Sequence, residues 1–332
     1  MNVGLALGAR ENIPRSVRIA MASEADKAGF HAVFMGESVS SNVFIDLTHV
    51  ALETSRIELG VAVANVFTRS PTLLAMSAAS LDQVSNSRTI LGLGTSTQPI
   101  IERVHGMEFA DPIGRTAEYI DIIRKAWTGD RFDHDGKYFS PSGGRIRVTP
   151  PRGEIPIGLA SLGPANRRLT GDRADVWLPH LIPRTLFTNA AEPIHQAALD
   201  ADRSPDDIDI YAYVPAAVTE DEKDARELVR QHIASYVGPA TPYRNIVAAA
   251  GYEAETTAIH DAWQAGNTAS AASHVTDEMV ADIGIAATPE TVASKLQQWD
   301  DVEMIDVVML NFPRPTTIET YLRTIEAVEE SI

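Results

Sequence analysis

The sequence predicts an α/β fold, a (β/α)8 TIM barrel that uses all 332 residues as a single domain, 1–332. Two observations favour this barrel over a doubly wound open sheet. Short apolar runs alternate with longer helical patterns as far as the C-terminus. No Gly-x-Gly-x-x-Gly motif opens a helix after the first strand. A chain of this length with 44% hydrophobic residues can bury one large core.

Eight segments have the short, apolar and β-branched character of buried parallel strands. They are Val3–Gly8, Ala32–Met35, Ile57–Val63, Thr89–Gly94, Ile155–Ala160, Ala174–Leu178, Ile208–Val218 and Met304–Leu310. Helical patterns separate them. In the first of these, Val17, Met21 and Ala25 recur at the spacing of one buried helix face.

Two segments depart from the simple alternation. Asp135-Gly136, which lies between Phe132 and Tyr138, is a hairpin signal and predicts a β-hairpin after helix 4. Residues 235–283 have a helical pattern without a clear strand, and they predict a helical insertion between strands 7 and 8. Long loops on the catalytic side of a barrel commonly cover a site.

Composition excludes several classes of function. Carboxylates outnumber basic side chains 45 to 28, and the resulting charge of −17 disfavours binding to a nucleic-acid backbone. Without cysteine there is no disulfide, thiolate metal site or cysteine nucleophile. The apolar runs are much shorter than the ~20 residues of a membrane helix, and the first residues do not resemble a signal peptide. We therefore expect a cytoplasmic protein with a small-molecule substrate and neither nucleic acid nor membrane as partner.

The acidic bias has two interpretations. Arginine far outnumbers lysine, which is typical of a chain encoded by a high-GC genome. Excess surface carboxylates are also typical of halophilic proteins, because molar salt reduces the Debye length to ~3 Å and screens their repulsion. Both interpretations stay open.

In a barrel of this kind, function lies on the loops that follow the strands. Small residues in two such loops leave backbone N–H groups uncovered just before a helix, where they bind phosphate. These residues are Gly94, Thr95, Ser96 and Thr97 after the fourth strand, and Ser161, Leu162, Gly163 and Pro164 after the fifth. A phosphate site and ordinary tight turns are both consistent with these sequences.

Three side chains are candidates for proton transfer. Glu37 is the one carboxylate in the small polar loop after the second strand, His105 lies beyond the fourth-strand loop, and His180 directly follows the sixth strand. Asp133-His134-Asp135 does not predict a metal site, because neighbouring residues of a strand face opposite sides. His-x-His and His-Glu-x-x-His motifs are missing, so no metal is expected.

Several stretches follow one another in a recognisable order: Thr54–Gly60, Asn65–Pro71, Leu81–Gly94, Gly129–Arg131 and Leu162–Pro164. Their order and spacing resemble those of the luciferase-like monooxygenase superfamily over nearly the whole chain. Asp206–Ile210, Val275–Met279 and Thr288–Val292 resemble the methylenetetrahydromethanopterin reductases of its coenzyme F420-dependent branch.

This resemblance implies a barrel that binds the deazaflavin coenzyme F420, or FMN in other branches, at the C-terminal ends of the strands, and it suggests a homodimer. Gly36 and Glu37 would border the cofactor ring. Ala62 and Val63 would form a bulge behind the ring that often contains a cis peptide, and Asn65 would lie beside it. Gly94–Thr97 and Ser161–Pro164 would receive the tail and its phosphate.

The sequence also departs from the family pattern. Ala6 stands where the methanopterin reductases have a glutamate, and Glu37-Ser38 replaces an Asp-His pair. The resemblance implies a coenzyme F420-dependent oxidoreductase that moves a hydride between the deazaflavin C5 and a small organic substrate. An FMN-dependent monooxygenase and a non-catalytic flavin-binding barrel stay open as alternatives.

Overall fold

The computed structural model describes residues 2–8, 13–37, 39, 41–314 and 316–331; Ser38 lies outside them. Over these ranges the strands are β1 (Asn2–Ala6), β2 (Ala32–Met35), β3 (Glu58–Asn65), β4 (Thr89–Gly94), β5 (Ile157–Leu159), β6 (Val176–Trp177), β7 (Asp209–Val218), β8 (Ile285–Ala287) and β9 (Val307–Asn311). The order β6-β5-β4-β3-β2-β1-β9-β7, closed by pairing of β6 with β7, forms an eight-stranded parallel barrel.

Helices connect the strands on the outside of the barrel. They are α1 (Arg15–Lys27), α2 (Val43–Glu53), α3 (Pro71–Ser85), α4 (Pro112–Trp127), α5 (Pro164–Arg173), α6 (Phe187–Asp200), α7 (Glu222–Val237), α8 (Thr241–Val247), α9 (Glu253–Gln264), α10 (Thr268–Ser273), α11 (Asp277–Ile283), α12 (Val292–Asp300) and α13 (Ile318–Glu329). None of the helices in the described ranges combines the length and apolar character needed to cross a bilayer.

The predicted TIM barrel is confirmed, and each of the eight predicted strands overlaps one strand of the barrel. The predicted insertion contains α8 to α11. The hairpin after α4 is reduced to one antiparallel bridge between Phe132 and Gly144. The sequence pattern missed β8, which pairs with the outer end of β7 outside the barrel. Three apolar residues directly after a helix carry no periodicity that would reveal a strand.

Large side chains fill the barrel interior below its mouth. Phe34, Leu178 and Met309 are buried there together with β-branched residues of the neighbouring strands. Glycines provide the space, because a Cβ at Gly60 would lie 1.6 Å from the Phe34 ring and one at Gly4 would lie 2.4 Å from Met309 Sδ. The interior is therefore a packed plug, and any ligand must bind above it.

At the opposite end of the barrel, Asp26 in α1 organises the turn that leads into β3. Its carboxylate accepts hydrogen bonds from the N–H groups of Ser55 (2.9 Å), Arg56 (2.9 Å) and Ile57 (2.7 Å). Burial raises the pKa of Asp26, but these hydrogen bonds and the Arg56 charge outweigh burial and lower the pKa below its usual 3.8.

We predict that Asp26→Ala lowers the free energy of unfolding by about 1–3 kcal/mol, because three backbone N–H groups, of which that of Ile57 is buried, lose their acceptor. Since the pKa is lowered in the folded state, the stabilisation is complete above the unfolded-state pKa and is lost as the pH falls through the folded-state value. Urea unfolding across an acidic pH series measures both effects. Asp200→Ala, at an exposed helix end, is the control; an equal loss in both variants would contradict the prediction.

Candidate active site

A cavity of about 260 Å³ lies at the C-terminal ends of the barrel strands. Its lining residues are Ala6, Gly8, Phe34, Gly36, Ala62, Val63, Ala160, Leu178, His180, Tyr213, Tyr236, Tyr243 and Asn311. Among these described residues there is no carboxylate, lysine or arginine. Two larger hollows, of about 480 and 380 Å³, lie in the outer helix layer, between α1 and α2 and between α5 and α6. Neither contacts a strand end, so the barrel mouth is the candidate active site.

The floor of the cavity is small and apolar. The register of β3 against β4 shifts between Val61 and Ala64, and the Ala62–Val63 peptide is cis. Gly36 completes this floor, since a Cβ there would come within 2.9 Å of the Ala62 carbonyl oxygen. A Cβ at Gly94 would collide with Val63 at 2.5 Å. The residues of the bulge thus leave a shallow surface on which a planar ring fits.

His180 forms the polar side of the cavity. The Tyr213 N–H donates to the Pro179 carbonyl oxygen at 2.8 Å, which extends the pairing of β6 with β7 and places His180 beside Tyr213. His180 Nδ1 lies 3.3 Å from the Tyr243 hydroxyl oxygen in α8. His180 Nε2 lies 3.2 Å from His232 Nε2 in α7 and 2.9 Å from Asn311 Nδ2 in β9.

Aromatic rings enclose this histidine. Tyr236 packs edge-on against it with ring centroids 4.6 Å apart, and Tyr243 does so at 5.4 Å. Burial lowers the pKa of His180 to about 3, so the imidazole is neutral at physiological pH. Burial also raises the pKa values of Tyr213 and Tyr243, which keep their hydroxyl hydrogens.

The Tyr213 hydroxyl group is buried and has no hydrogen-bond partner among the described residues. A buried polar atom of this kind costs free energy unless a ligand satisfies it. Because the residue lines the cavity, a polar atom of a bound ring or substrate is the natural partner.

Glu37 directly follows Gly36, but its side chain does not line the cavity. Its carboxylate pairs with both terminal guanidinium nitrogens of Arg69, with Nη2 to Oε1 at 2.6 Å. The hydrogen bond with Glu37 raises the pKa of Arg69, and the Tyr119 hydroxyl donates to the Arg69 carbonyl oxygen. The carboxylate that the sequence predicts as an acid–base group is therefore engaged by Arg69 beside the floor.

Two other predicted site residues, His105 and Asn65, do not line the cavity. His105 caps the π-helical turn Ile100–Val104 and is exposed outside the cavity. Asn65 is buried, and its Oδ1 accepts from the N–H groups of Phe67 (3.0 Å) and Thr68 (2.9 Å). Asn65 thus shapes the loop after β3.

The two small-residue loops lie beside each other, because β4 pairs with β5. After β4, Thr95 and Thr97 flank Ser96, which has a left-handed backbone with φ of 58°. After β5, the buried Ser161 hydroxyl pairs with Thr170 at 2.8 Å.

The helix that follows the β5 loop begins in an open position. Gly163 is the N-cap of α5 and provides no side-chain hydrogen bond, and nothing lies within 4 Å of the place a Cβ would occupy. Leu162 and Pro164 flank it. The first turn of α5 therefore presents backbone N–H groups to open space, as an anion site requires.

Sequence reasoning missed four polar lining residues: Tyr213, Tyr236, Tyr243 and Asn311. Tyr213 and Asn311 lie in barrel strands, where period-2 alternation and the end of the last strand indicate a position at the mouth. Tyr236 and Tyr243 come from α7 and the insertion, and nothing in their local sequence indicates that they approach the barrel.

The insertion is attached to the rest of the site by a buried carboxylate. Asp282 of α11 accepts hydrogen bonds from Thr185 N (3.0 Å) and Thr185 Oγ1 (2.7 Å), in the loop after β6. Tyr252 donates to the same carboxylate at 3.2 Å. These contacts hold the insertion over the loop that carries His180.

We predict that Glu37→Gln lowers the free energy of unfolding by about 1–3 kcal/mol, because the Arg69 side chain, 15% exposed, loses its charged partner. The double variant Glu37→Gln/Arg69→Gln should recover part of this loss in urea unfolding. Glu24→Gln, which breaks an exposed pair with Lys27, should change stability little. Additive losses in the double variant would show that the pair is not coupled.

Comparison with known proteins identifies the family. Residues 4–303 match the family model described as luciferase-like monooxygenase. A Mycobacterium tuberculosis protein described as a coenzyme F420-dependent oxidoreductase is 30% identical, over 90% of this chain and 92% of that protein. The 5,10-methylenetetrahydromethanopterin reductase of Archaeoglobus fulgidus is 29% identical, over 86% of each chain.

A solved structure is similar over the full length. The coenzyme F420-dependent tetrahydromethanopterin reductase from Methanopyrus kandleri superposes with a TM-score of 0.85 and 22% identity, covering 100% of this chain and 98% of that one. This similarity supports the barrel fold. The chain therefore belongs to the luciferase-like monooxygenase family and is an oxidoreductase.

Proposed function

We propose that the protein is a coenzyme F420-dependent oxidoreductase acting on a small organic substrate. The observation that carries the proposal is the cavity itself, where the small apolar residues Gly36, Ala62 and Val63 share the lining with a Tyr213 hydroxyl that has no hydrogen-bond partner among the described residues. The names of the two sequence relatives support coenzyme F420 as the cofactor. This chain covers 92% of the length of the first relative and 86% of the length of the second.

The residues present fit a deazaflavin. Gly36, Ala62 and Val63 would lie against the ring, and Tyr213 offers it a hydroxyl group. The loops Gly94–Thr97 and Ser161–Pro164 would hold the tail, with the open N-terminus of α5 accepting its phosphate. When bound, the deazaflavin supplies or accepts a hydride at C5.

The protein itself supplies orientation, a dry environment and a proton. Aromatic side chains and the insertion cover the His180 side of the cavity, and the neutral His180 network is the polar group nearest to a substrate. Glu37, paired with Arg69, holds the loop after β2 next to the floor. His105 is exposed away from this cavity, so we assign it no part in the reaction.

Two alternatives share the same floor. An FMN-dependent monooxygenase is favoured by the description of the matching family. A non-catalytic flavin-binding barrel is favoured by two departures from the family pattern. Ala6 stands in place of a glutamate, and Glu37-Ser38 stands in place of an Asp-His pair. The identity of the bound cofactor and its reduction by substrate distinguish these alternatives.

We predict that the purified protein binds coenzyme F420 more tightly than FMN, as measured by fluorescence titration with each. Tyr213→Phe should weaken binding of F420, because the ring or substrate loses a hydrogen-bond donor. The same change should leave the ligand-free protein as stable as the wild type or about 1 kcal/mol more stable, because an unsatisfied buried hydroxyl is removed. Tighter binding of FMN would contradict the proposed cofactor.

We also propose that the protein is a homodimer. Among the described residues, ten large apolar side chains are exposed, and five of them lie on α2 and α3: Ile45, Leu52, Leu73, Met76 and Val84. These two helices pack against each other, so the five residues lie on neighbouring helices, and we refer to them as the α2–α3 face. On a chain with charge −17, a second copy related by a two-fold axis is the partner that covers such a face with an identical one.

We predict that Leu52→Glu combined with Met76→Glu converts the protein to a monomer, because like charges would meet across the two-fold axis. Light scattering coupled to size-exclusion chromatography measures this change. Leu199→Glu, at a residue 58% exposed on α6 outside this face, is the matched control and should remain dimeric. A monomeric wild-type protein would contradict the proposal.

A further inference from the structure

The hydrogen bonds around His180 determine where its hydrogen lies. Asn311 Nδ2 carries only donor hydrogens, so His180 Nε2, 2.9 Å away, is an acceptor. A neutral imidazole with a bare Nε2 carries its hydrogen on Nδ1. This hydrogen points to the Tyr243 oxygen at 3.3 Å. His232 Nε2, 3.2 Å from the same acceptor, is also a donor.

This arrangement leaves the Tyr243 hydroxyl hydrogen available to the cavity. Both nitrogens of His180 are occupied by protein partners, so His180 has no free atom for a substrate. The Tyr243 oxygen accepts from His180, and its own hydroxyl hydrogen therefore points elsewhere. Because Tyr243 lines the cavity, a substrate bound there can receive that hydrogen.

The cavity also limits the kind of substrate. Its described lining contains no carboxylate, lysine or arginine, and a charged group placed there would lose water without gaining a countercharge. A neutral polar atom, by contrast, finds hydroxyl donors at Tyr243 and Tyr213. A carbonyl oxygen has this chemistry.

We propose that Tyr243 is the catalytic residue that donates a proton to the oxygen of a neutral carbonyl substrate, with His180 as its positioning residue. This inference rests on the proposed function. It assigns the proton step to a side chain of the insertion and makes Glu37 and His105 unnecessary for that step.

The step balances with the reduced deazaflavin as the reductant. The carbonyl carbon gains a hydride and is reduced, the π electron pair moves to oxygen, and that oxygen takes the hydrogen of the Tyr243 hydroxyl. Tyr243 is left as a phenolate that accepts the hydrogen bond from His180 Nδ1–H, and it regains a proton from solvent once the product leaves the cavity. Burial raises the pKa of Tyr243, so this phenolate depends on the hydrogen bond from His180.

The histidine tautomer tests the arrangement without any turnover. NMR of ¹⁵N-histidine-labelled protein, without cofactor, should show His180 as the neutral Nδ1–H tautomer from about pH 5 to about pH 9. In Tyr243→Phe, the Nδ1–H signal should shift because its acceptor is gone. Asn311→Asp should move the hydrogen to Nε2, since a carboxylate only accepts. An imidazolium or an Nε2–H tautomer in the wild type would overturn the proposal.

Kinetics test the proton step. With reduced coenzyme F420 and either acetone or cyclohexanone as probe, Tyr243→Phe should lower kcat by about 10²- to 10³-fold, while the Kd for F420 stays unchanged. Asn311→Asp should also lower kcat, because it moves the His180 hydrogen from Nδ1 to Nε2, away from Tyr243. The Tyr243 hydroxyl itself is retained in this variant. Tyr138→Phe removes a hydroxyl that donates to Asp111 outside the cavity lining and should keep wild-type activity.

The outcomes separate the two proposals. Failure of the wild type to bind F420 overturns the proposed function, and the tautomer experiment still judges the Tyr243–His180 arrangement. Binding of F420 without oxidation of its reduced form by either ketone overturns the carbonyl assignment. Wild-type turnover in Tyr243→Phe overturns the role of Tyr243 alone.

Discussion

The arrangement of the candidate active site depends on the burial of one neutral imidazole. His180 keeps its pKa near 3 because it is surrounded by protein, and each ring nitrogen therefore requires a neutral hydrogen-bond partner. The partners come from α7, α8 and β9, so a single side chain links the barrel to the insertion. Without Tyr243, His180 Nδ1 would lose its hydrogen-bond partner, and without Asn311, Nε2 would keep only His232.

The strongly negative chain has a cavity whose described lining carries no charge, and an anionic cofactor would require this. The protein carries −17 overall, whereas the described cavity lining has no charged side chain. Glu37 is the carboxylate next to the floor, and pairing with Arg69 neutralises it where an anionic cofactor would bind. Backbone N–H groups at the start of α5 can hold a phosphate without any added positive side chain.

Much of the barrel and its floor could be predicted from the sequence. All eight barrel strands follow from apolar runs between helical patterns. The cavity is lined by four residues that the sequence places at strand ends: Gly36, Ala62, Val63 and His180. Side-chain partners could not be predicted in this way. The acid–base role expected for Glu37 assumed that its carboxylate has no ion-pair partner. Its partner, Arg69, is 32 residues away along the chain, and no local pattern links the two.

By itself, the sequence determined the barrel and the loops that surround its mouth, because strand and helix periods are local properties and parallel strands bring their ends together. Only the tertiary structure decided that Tyr243 and Asn311 meet His180, across 63 and 131 residues of chain. Such contacts depend on how the insertion packs on the barrel, and no local periodicity encodes that packing. The family could thus be predicted from motifs, whereas the contacts that support the proposed proton transfer from Tyr243 are seen only in the tertiary structure.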